Sequence, residues 1–180
     1  SASLAVSLFD ALSLTPTQLI EMVGPTVSSF KNSSLRLLLV ATPATIQSEI
    51  YQNAFRMIGK EITAVAIPDL AAAIEFGTSA EELESIIRAA LQGVDLGNFD
   101  ELVLACTHYP LVDHLFRKVV GSLSIFDPAV AVGERVKKRL WPREVGDGST
   151  QFLISADSKP FRDRVAGLMQ NGGFSIEVIE

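Results

Sequence analysis

Short apolar runs alternate with segments of helical period along almost the whole chain, and this alternation constrains the fold more than any other feature. The runs are rich in Leu, Ile and Val, as in strands that helices cover on both faces. The predicted strands are residues 18–23, 35–41, 62–67, 101–106, 123–126, 151–155 and 175–179. Apolar residues recur three and four positions apart in the segments 46–58, 83–91, 112–120, 132–140 and 161–168, which is typical of amphipathic helices. The alternation predicts an α/β fold with mainly parallel sheets and flanking helices.

The composition narrows the class of partner. Hydrophobic residues make up 48% of the 180 residues and charged residues 20%, which is enough apolar side chain for a packed core. The formal net charge of -6 repels phosphate backbones, so nucleic acid is not an expected partner. Neither a basic run nor an apolar stretch of the ~20 residues that cross a bilayer occurs, so no membrane is expected either. The single cysteine and the lack of a basic segment before an apolar run at the N-terminus predict a cytoplasmic location.

The segment from Cys106 to Pro110 is the first candidate functional site. A buried strand is predicted to end on Cys106, Thr107 and His108 occupy the turn, and Pro110 suits the first turn of a helix. Working residues of open α/β sheets gather at such junctions, and a helix N-terminus is expected to lower a thiol pKa. His108 could orient the thiol or exchange a proton with it. A capping Thr beside a buried Cys and a surface His remains an alternative interpretation.

Two further strand-to-helix junctions carry polar candidates. Thr42 and Thr45 follow the strand 35–41, where they could bind a carboxylate with hydroxyls and free helix N–H groups, or could simply cap the helix. Glu75 is an acid in an otherwise apolar, Ala-rich helix that ends at Gly77. Its carboxylate could hold a histidine in a cleft or could face water.

Together these three segments resemble the glutamate racemase family in order and spacing. The segment 106–111, Cys-Thr-His-Tyr-Pro-Leu, is similar to that family's second-cysteine motif. The segment 42–48 followed by Tyr51 resembles its Thr-x-x-Thr segment, and Ile67-Pro68 followed by residues 74–77 resembles its Pro…Glu-x-Gly segment. Residues 126–129 and 152–161 are similar to its C-terminal part.

The resemblance implies a cofactor-independent and metal-independent enzyme that interconverts L- and D-glutamate and supplies D-glutamate for peptidoglycan. It implies two similar α/β halves with the site between them and one cysteine from each half on either face of the substrate α-carbon. Cys106 and His108 would then be catalytic residues. Thr107, His108, Thr45 and Thr42 would bind substrate, and Glu75 would orient His108. A homodimer is compatible with the resemblance.

The sequence departs from the family pattern in one respect. The family's Asp-Ser-Gly segment and first-cysteine motif are not found, and residues 1–3 resemble only the tail of that motif. We therefore expect residues 17–120 to form a complete half, and residues 1–16, with a helix to about Leu12, and 121–180 to form parts of an incomplete one. Two other functions stay open, a one-cysteine relative that acts as a decarboxylase and a non-catalytic fragment.

Overall fold

The computed structural model describes residues 20–140, 149–169 and 173–179. It divides into two compact units, Ser1–Arg139 and Leu140–Glu180. Unit 1 contains helices α1 (Val23–Ser29), α2 (Pro43–Gln47), α3 (Ile50–Met57), α4 (Leu70–Glu75), α5 (Ala80–Leu91), α6 (Asp113–Val120) and α7 (Pro128–Leu140), with strands β1 (Leu37–Ala41), β2 (Thr63–Ala66), β3 (Glu101–Leu104) and β4 (Ser124–Phe126). Short 3₁₀ turns lie at Leu96–Asn98 and Tyr109–Val112.

The four strands of unit 1 form a parallel sheet in the order β2-β1-β3-β4. Its central strands are covered on both faces. Leu38 and Leu102 belong to one apolar core and Leu39 and Val103 to the other, and all four are fully buried. The predicted α/β fold with a parallel sheet and flanking helices is confirmed. The apolar runs at β1 and β3 are nearly continuous because both faces of these strands are buried, as predicted.

Unit 2 is a smaller α/β element. Strands β5 (Thr150–Ile154) and β6 (Phe174–Val178) pair in parallel, and helix α8 (Lys159–Leu168) connects them in sequence. Phe152 packs edge-on against Phe161 and Phe174, with ring centroids 5.9 Å and 6.1 Å away. Ser158 caps the helix by accepting a hydrogen bond from the Phe161 N–H.

The predicted strand at 18–23 is wrong within the described residues. Residues 20–22 are not in a strand, and Val23 begins α1. The Glu21 carboxylate accepts hydrogen bonds from the free N–H groups of Val23 and Gly24, the latter at 2.6 Å, and so stabilises the start of a helix. Pro25 lies in the first turn of that helix, where its missing N–H costs nothing.

Two further differences between predicted and observed elements lie in the motif segments. The helical period of 46–58 is divided into α2 and α3 at Glu49, whose φ of 51° interrupts the helix. Strand β3 ends at Leu104 rather than Cys106, although the Ala105 N–H still donates to the Val40 carbonyl at 2.9 Å.

Some predictions concern residues that the structure does not describe. The predicted helix from Ser1 lies outside the described residues, as does most of the loop predicted at 141–150, whose last residue begins β5. The assignment of 17–120 to one half, and of 1–16 and 121–180 to another, stays a prediction. Strand β4 lies beyond that boundary and pairs with β3. Every helix in the described ranges is too short or too polar to cross a bilayer.

One ion pair gives the fold a pH dependence that can be measured. Arg36 at the start of β1 donates to Asp100 before β3, through Nε at 3.1 Å, Nη2 at 2.8 Å and its backbone N–H at 2.8 Å. The hydrogen bonds from Arg36 lower the pKa of Asp100 to about 2. Because the carboxyl pKa is lower in the folded chain, the pair stabilises the fold above the ordinary Asp pKa of about 4 and loses this effect as the pH falls towards 2.

We therefore expect Asp100→Asn to lower the melting temperature at pH 7, and the difference from wild type to shrink steadily below about pH 4. Melting curves between pH 3 and 8 measure it. Asp113→Asn, which breaks the exposed pair with Arg117 on one helix, is the control and should have a smaller effect. A difference for Asp100→Asn that stays constant over this pH range would contradict the prediction.

Candidate active site

The three junctions that the sequence singled out lie at one edge of the sheet. Strands β2, β1 and β3 are neighbours and run in the same direction, so the segments that follow them leave from the same edge. The ends of the strands are level, because the Ile67 N–H donates to the Ala41 carbonyl at 2.9 Å and the Ala105 N–H to the Val40 carbonyl at 2.9 Å. Thr42, Cys106 and the segment leading to Glu75 therefore begin at this carboxyl edge, where α/β sheets bind ligands.

Cys106 is half-buried and packs against the core that contains Leu102 and Leu104. Burial raises the pKa of its thiol above the ordinary value, and the backbone N–H groups of His108 and Tyr109 oppose that rise only in part. The expectation that the helix N-terminus would lower this pKa is therefore wrong, because desolvation is the larger effect. At neutral pH the thiol holds its proton and is suited to act as a proton donor.

His108 and Glu75 form a direct contact. The His108 Nε2 atom lies 3.0 Å from the Glu75 Oε2 atom, although the two residues are 33 positions apart. Both side chains are about one-third exposed, so water and substrate can reach them. Glu75 is the last residue of α4, and Gly77, with a φ of 75°, turns the chain directly after it. The predicted hydrogen bond between Glu75 and His108 is confirmed, while the catalytic roles of these residues stay predictions.

The three candidate threonines, Thr42, Thr45 and Thr107, differ in their hydrogen bonds and in their exposure. The Thr42 side chain caps α2 by accepting from the Thr45 N–H at 3.4 Å, and the two hydroxyls lie 3.0 Å apart. The capping interpretation that was left open therefore applies to Thr42. Thr45 is partly exposed and Thr107 is exposed. Both follow strands that end at the same edge, as a shared substrate site requires, but substrate binding by either one stays a prediction.

Two buried tyrosines near Cys106 were given no role from the sequence alone. Burial is the main cause that raises the pKa of Tyr51 to about 12, while a hydrogen bond with Thr26 lowers it and the charges of Glu21 and of an ionised Cys106 thiolate add to the rise. Burial and the charge of the Cys106 thiolate also raise the pKa of Tyr109. Both tyrosines belong to the motif segments, and a tyrosine in the helix or turn that follows a buried strand is the signal that could have pointed to them.

A groove with a volume of about 810 Å³ lies elsewhere on unit 1. Residues of α1 and α7 line it, together with Phe126, and the Arg135 Nη2 atom donates to the Ser28 hydroxyl across it at 3.2 Å. These are not the residues around Cys106, so we do not assign the groove to the candidate site.

The fold and the site define a class, an α/β chain with a thiol and a histidine–carboxylate pair at the carboxyl edge of a parallel sheet. No family model matches the chain. It is 32% identical to the glutamate racemase of Roseobacter denitrificans over 139 residues. The aligned residues make up 73% of this chain and 51% of that protein. It is also 33% identical to the glutamate racemase of Jannaschia sp. over 130 residues, and these make up 67% of this chain and 47% of that protein. The chain belongs to the glutamate racemase family and spans about half the length of the curated relatives it matches.

Solved structures show the same fold. The glutamate racemase of Francisella tularensis, in complex with D-glutamate, gives a TM-score of 0.78 at 21% identity and covers 89% of this chain and 63% of that one. The isoform RacE1 of Bacillus anthracis gives 0.79 at 21% identity and covers 98% of this chain and 70% of that one.

Proposed function

We propose that this chain is part of a cofactor-independent enzyme that interconverts L-glutamate and D-glutamate, with Cys106 as one of two groups that exchange the α-proton. The contact that supports this best joins His108 to Glu75 at 3.0 Å, beside a half-buried thiol. The sequence match to glutamate racemases supports it independently. We also propose a cytoplasmic location, a role in supplying D-glutamate for peptidoglycan, and a homodimer.

The proposed reaction needs two acid–base groups on opposite faces of one carbon. A base takes the α-proton from one face and leaves the electron pair on carbon, and the Cys106 S–H donates a proton to the other face. The products are the opposite enantiomer, the protonated base and a Cys106 thiolate, and in the reverse direction the thiolate is the base and the protonated group is the acid. The raised pKa of the Cys106 thiol fits the donor state in which this cycle begins. His108 would transfer or stabilise charge near the thiol, held in orientation by Glu75.

We propose that Thr45 and Thr107 bind the substrate and that Thr42 positions Thr45. Hydroxyls and the unpaired N–H groups of helix starts suit a carboxylate. The cap that Thr42 provides, and the 3.0 Å between the two hydroxyls, would hold Thr45 in place. One structural relative was solved in complex with D-glutamate, which fits a carboxylate ligand for the family.

The proposal is tested on the natural protein that carries this sequence. The protein is incubated with L-glutamate or D-glutamate in deuterium oxide, and both the enantiomer ratio and the α-deuterium content are followed. Racemisation from either enantiomer with deuterium in the product supports the proposal. Racemisation without any exchange counts against thiol proton transfer. Malonate decarboxylation without racemisation would support the one-cysteine alternative, and neither reaction would support the non-catalytic one.

We expect Thr45→Val to raise the KM for glutamate about tenfold and to change kcat less. Valine keeps the shape of threonine but removes one hydrogen bond to a charged carboxylate, a loss of about 1.5 kcal/mol. Steady-state kinetics in both directions measure it. The control is Thr63→Val at the start of β2, which is an exposed threonine away from this edge. An unchanged KM in Thr45→Val would remove Thr45 from the binding site.

A further inference from the structure

Tyr109 joins two segments that the proposed mechanism needs and that are distant in sequence. Its ring is fully buried beside Phe116, with ring centroids 5.6 Å apart. Its hydroxyl donates a hydrogen bond to the Ile67 carbonyl at 3.2 Å, across 42 positions of sequence. Ile67 follows β2 directly and is itself fully buried. A buried hydroxyl that finds such a partner stabilises one arrangement of the two segments over others.

The backbone of Tyr109 fixes the turn that contains Cys106. The Tyr109 N–H donates to the Cys106 carbonyl at 3.2 Å, and the Leu111 N–H donates to the His108 carbonyl at 3.1 Å. The turn from Cys106 to His108 is therefore bonded to the backbone of a residue whose ring is fixed in the core. Because the side chain and the backbone of Tyr109 both have partners, a shift of its ring would move this turn.

Ile67, which accepts the hydrogen bond from Tyr109, belongs to the segment that continues to Glu75, the residue in contact with His108. The Ile67 N–H is bonded to the Ala41 carbonyl at 2.9 Å, so its position relative to β1 is fixed. The chain then turns at Asp69, with a φ of 59°, into α4, whose last residue is Glu75. The two segments that the Tyr109 hydroxyl joins meet a second time at the 3.0 Å contact between His108 and Glu75.

We propose that Tyr109 is a positioning residue, whose hydroxyl bond to Ile67 holds the turn of Cys106 and His108 in register with the segment that carries Glu75. The proposal deepens the proposed function and rests on it for its catalytic meaning. The bond itself can be tested without any activity. The competing interpretation is that Tyr109 only fills the core, in which case its hydroxyl affects the whole fold equally.

The test compares Tyr109→Phe with Ile87→Val by native-state amide hydrogen exchange of the chain. Tyr109→Phe keeps the ring and removes only the hydroxyl, while Ile87, fully buried in the same core, lies in α5 away from the turn. In Tyr109→Phe, we expect the amides of Tyr109 and Leu111 to exchange about three- to tenfold faster, as for the loss of one hydrogen bond. The amides of β1 should change less, and Ile87→Val should not single out the turn.

Alkylation of Cys106, the only cysteine of the sequence, gives a second readout. Burial is the main cause that raises the pKa of this thiol, so a released turn should admit water and lower the pKa towards its ordinary value. Iodoacetamide should then react faster at neutral pH in Tyr109→Phe than in the wild type or Ile87→Val. If racemisation is established, kcat of Tyr109→Phe should fall while KM changes less.

Equal acceleration of turn and β1 amides in Tyr109→Phe, with an unchanged alkylation profile, would overturn the proposal. If Tyr109→Phe does not fold, exchange in the wild type decides the matter. Amides of Tyr109 and Leu111 as protected as those of β3 would support it, and exchange of these two amides at the rate of an unprotected amide would overturn it. A protein that shows no racemisation but shows the selective exchange would refute the proposed function and leave the positioning bond in place.

Discussion

Replacement of Cys106 by serine is expected to lower kcat/KM for racemisation by about three orders of magnitude in both directions. Each direction needs one acid and one base, and Cys106 would serve as the acid in one and as the base in the other. A serine hydroxyl is a far weaker acid than a thiol, even one whose pKa burial has raised. Loss in one direction only would therefore not agree with the proposed mechanism.

The measurement is steady-state racemisation of L- and D-glutamate, followed by circular dichroism. Asp113→Asn, at an exposed ion pair of α6, is the control and should keep wild-type rates. In Cys106→Ser, the group on the opposite face should still remove a proton from one enantiomer. A glutamate analogue with a leaving group at the β-carbon should therefore still undergo elimination when it has that configuration. Wild-type racemisation by Cys106→Ser would refute the assignment of Cys106.

The sheet was predictable from the sequence because its central strands consist of consecutive apolar residues. Leu38 and Leu39 face opposite cores and both are buried, so β1 is apolar at every position, and the same holds along β3 from Leu102 to Leu104. The start of α1 was not predictable in this way. The apolar residues on either side of Glu21 resemble a strand, and the hydrogen bonds that its carboxylate accepts from the N–H groups of Val23 and Gly24 stabilise the helix that begins there instead.

One contact within the candidate site was predictable from the sequence, but the direction of the Cys106 pKa shift was not. The contact between His108 and Glu75 was predicted from the resemblance of the three motif segments to the glutamate racemase family. It forms because β2 and β3, on either side of β1, end at the same edge of the parallel sheet. The direction of the Cys106 pKa shift depends on burial against a core whose members are far apart in the sequence, such as Val40, Leu70 and Leu104. The rule that a helix N-terminus lowers a thiol pKa predicted the wrong direction for Cys106, because the rule does not include the effect of burial.

The pair of Glu75 and His108 carries the second large prediction. We expect Glu75→Gln to lower kcat about a hundredfold and to change KM less, because glutamine lacks the charge that favours one orientation and one tautomer of the imidazole. The matched control is Glu84→Gln, which removes a carboxylate of α5 that accepts hydrogen bonds from Arg88 at 3.0 Å and 2.7 Å. That variant should keep wild-type rates.

A double-mutant cycle separates orientation of His108 from any independent role of Glu75. His108→Asn alone is expected to cost at least as much in kcat as Glu75→Gln. If Glu75 acts through the imidazole, the double variant should be no slower than His108→Asn, because the residue that Glu75 orients is already gone. Effects that multiply would show that Glu75 acts on the reaction by another route. Since both side chains are about one-third exposed, stability should change little in any of these variants, and thermal unfolding checks that the rate losses come from the site.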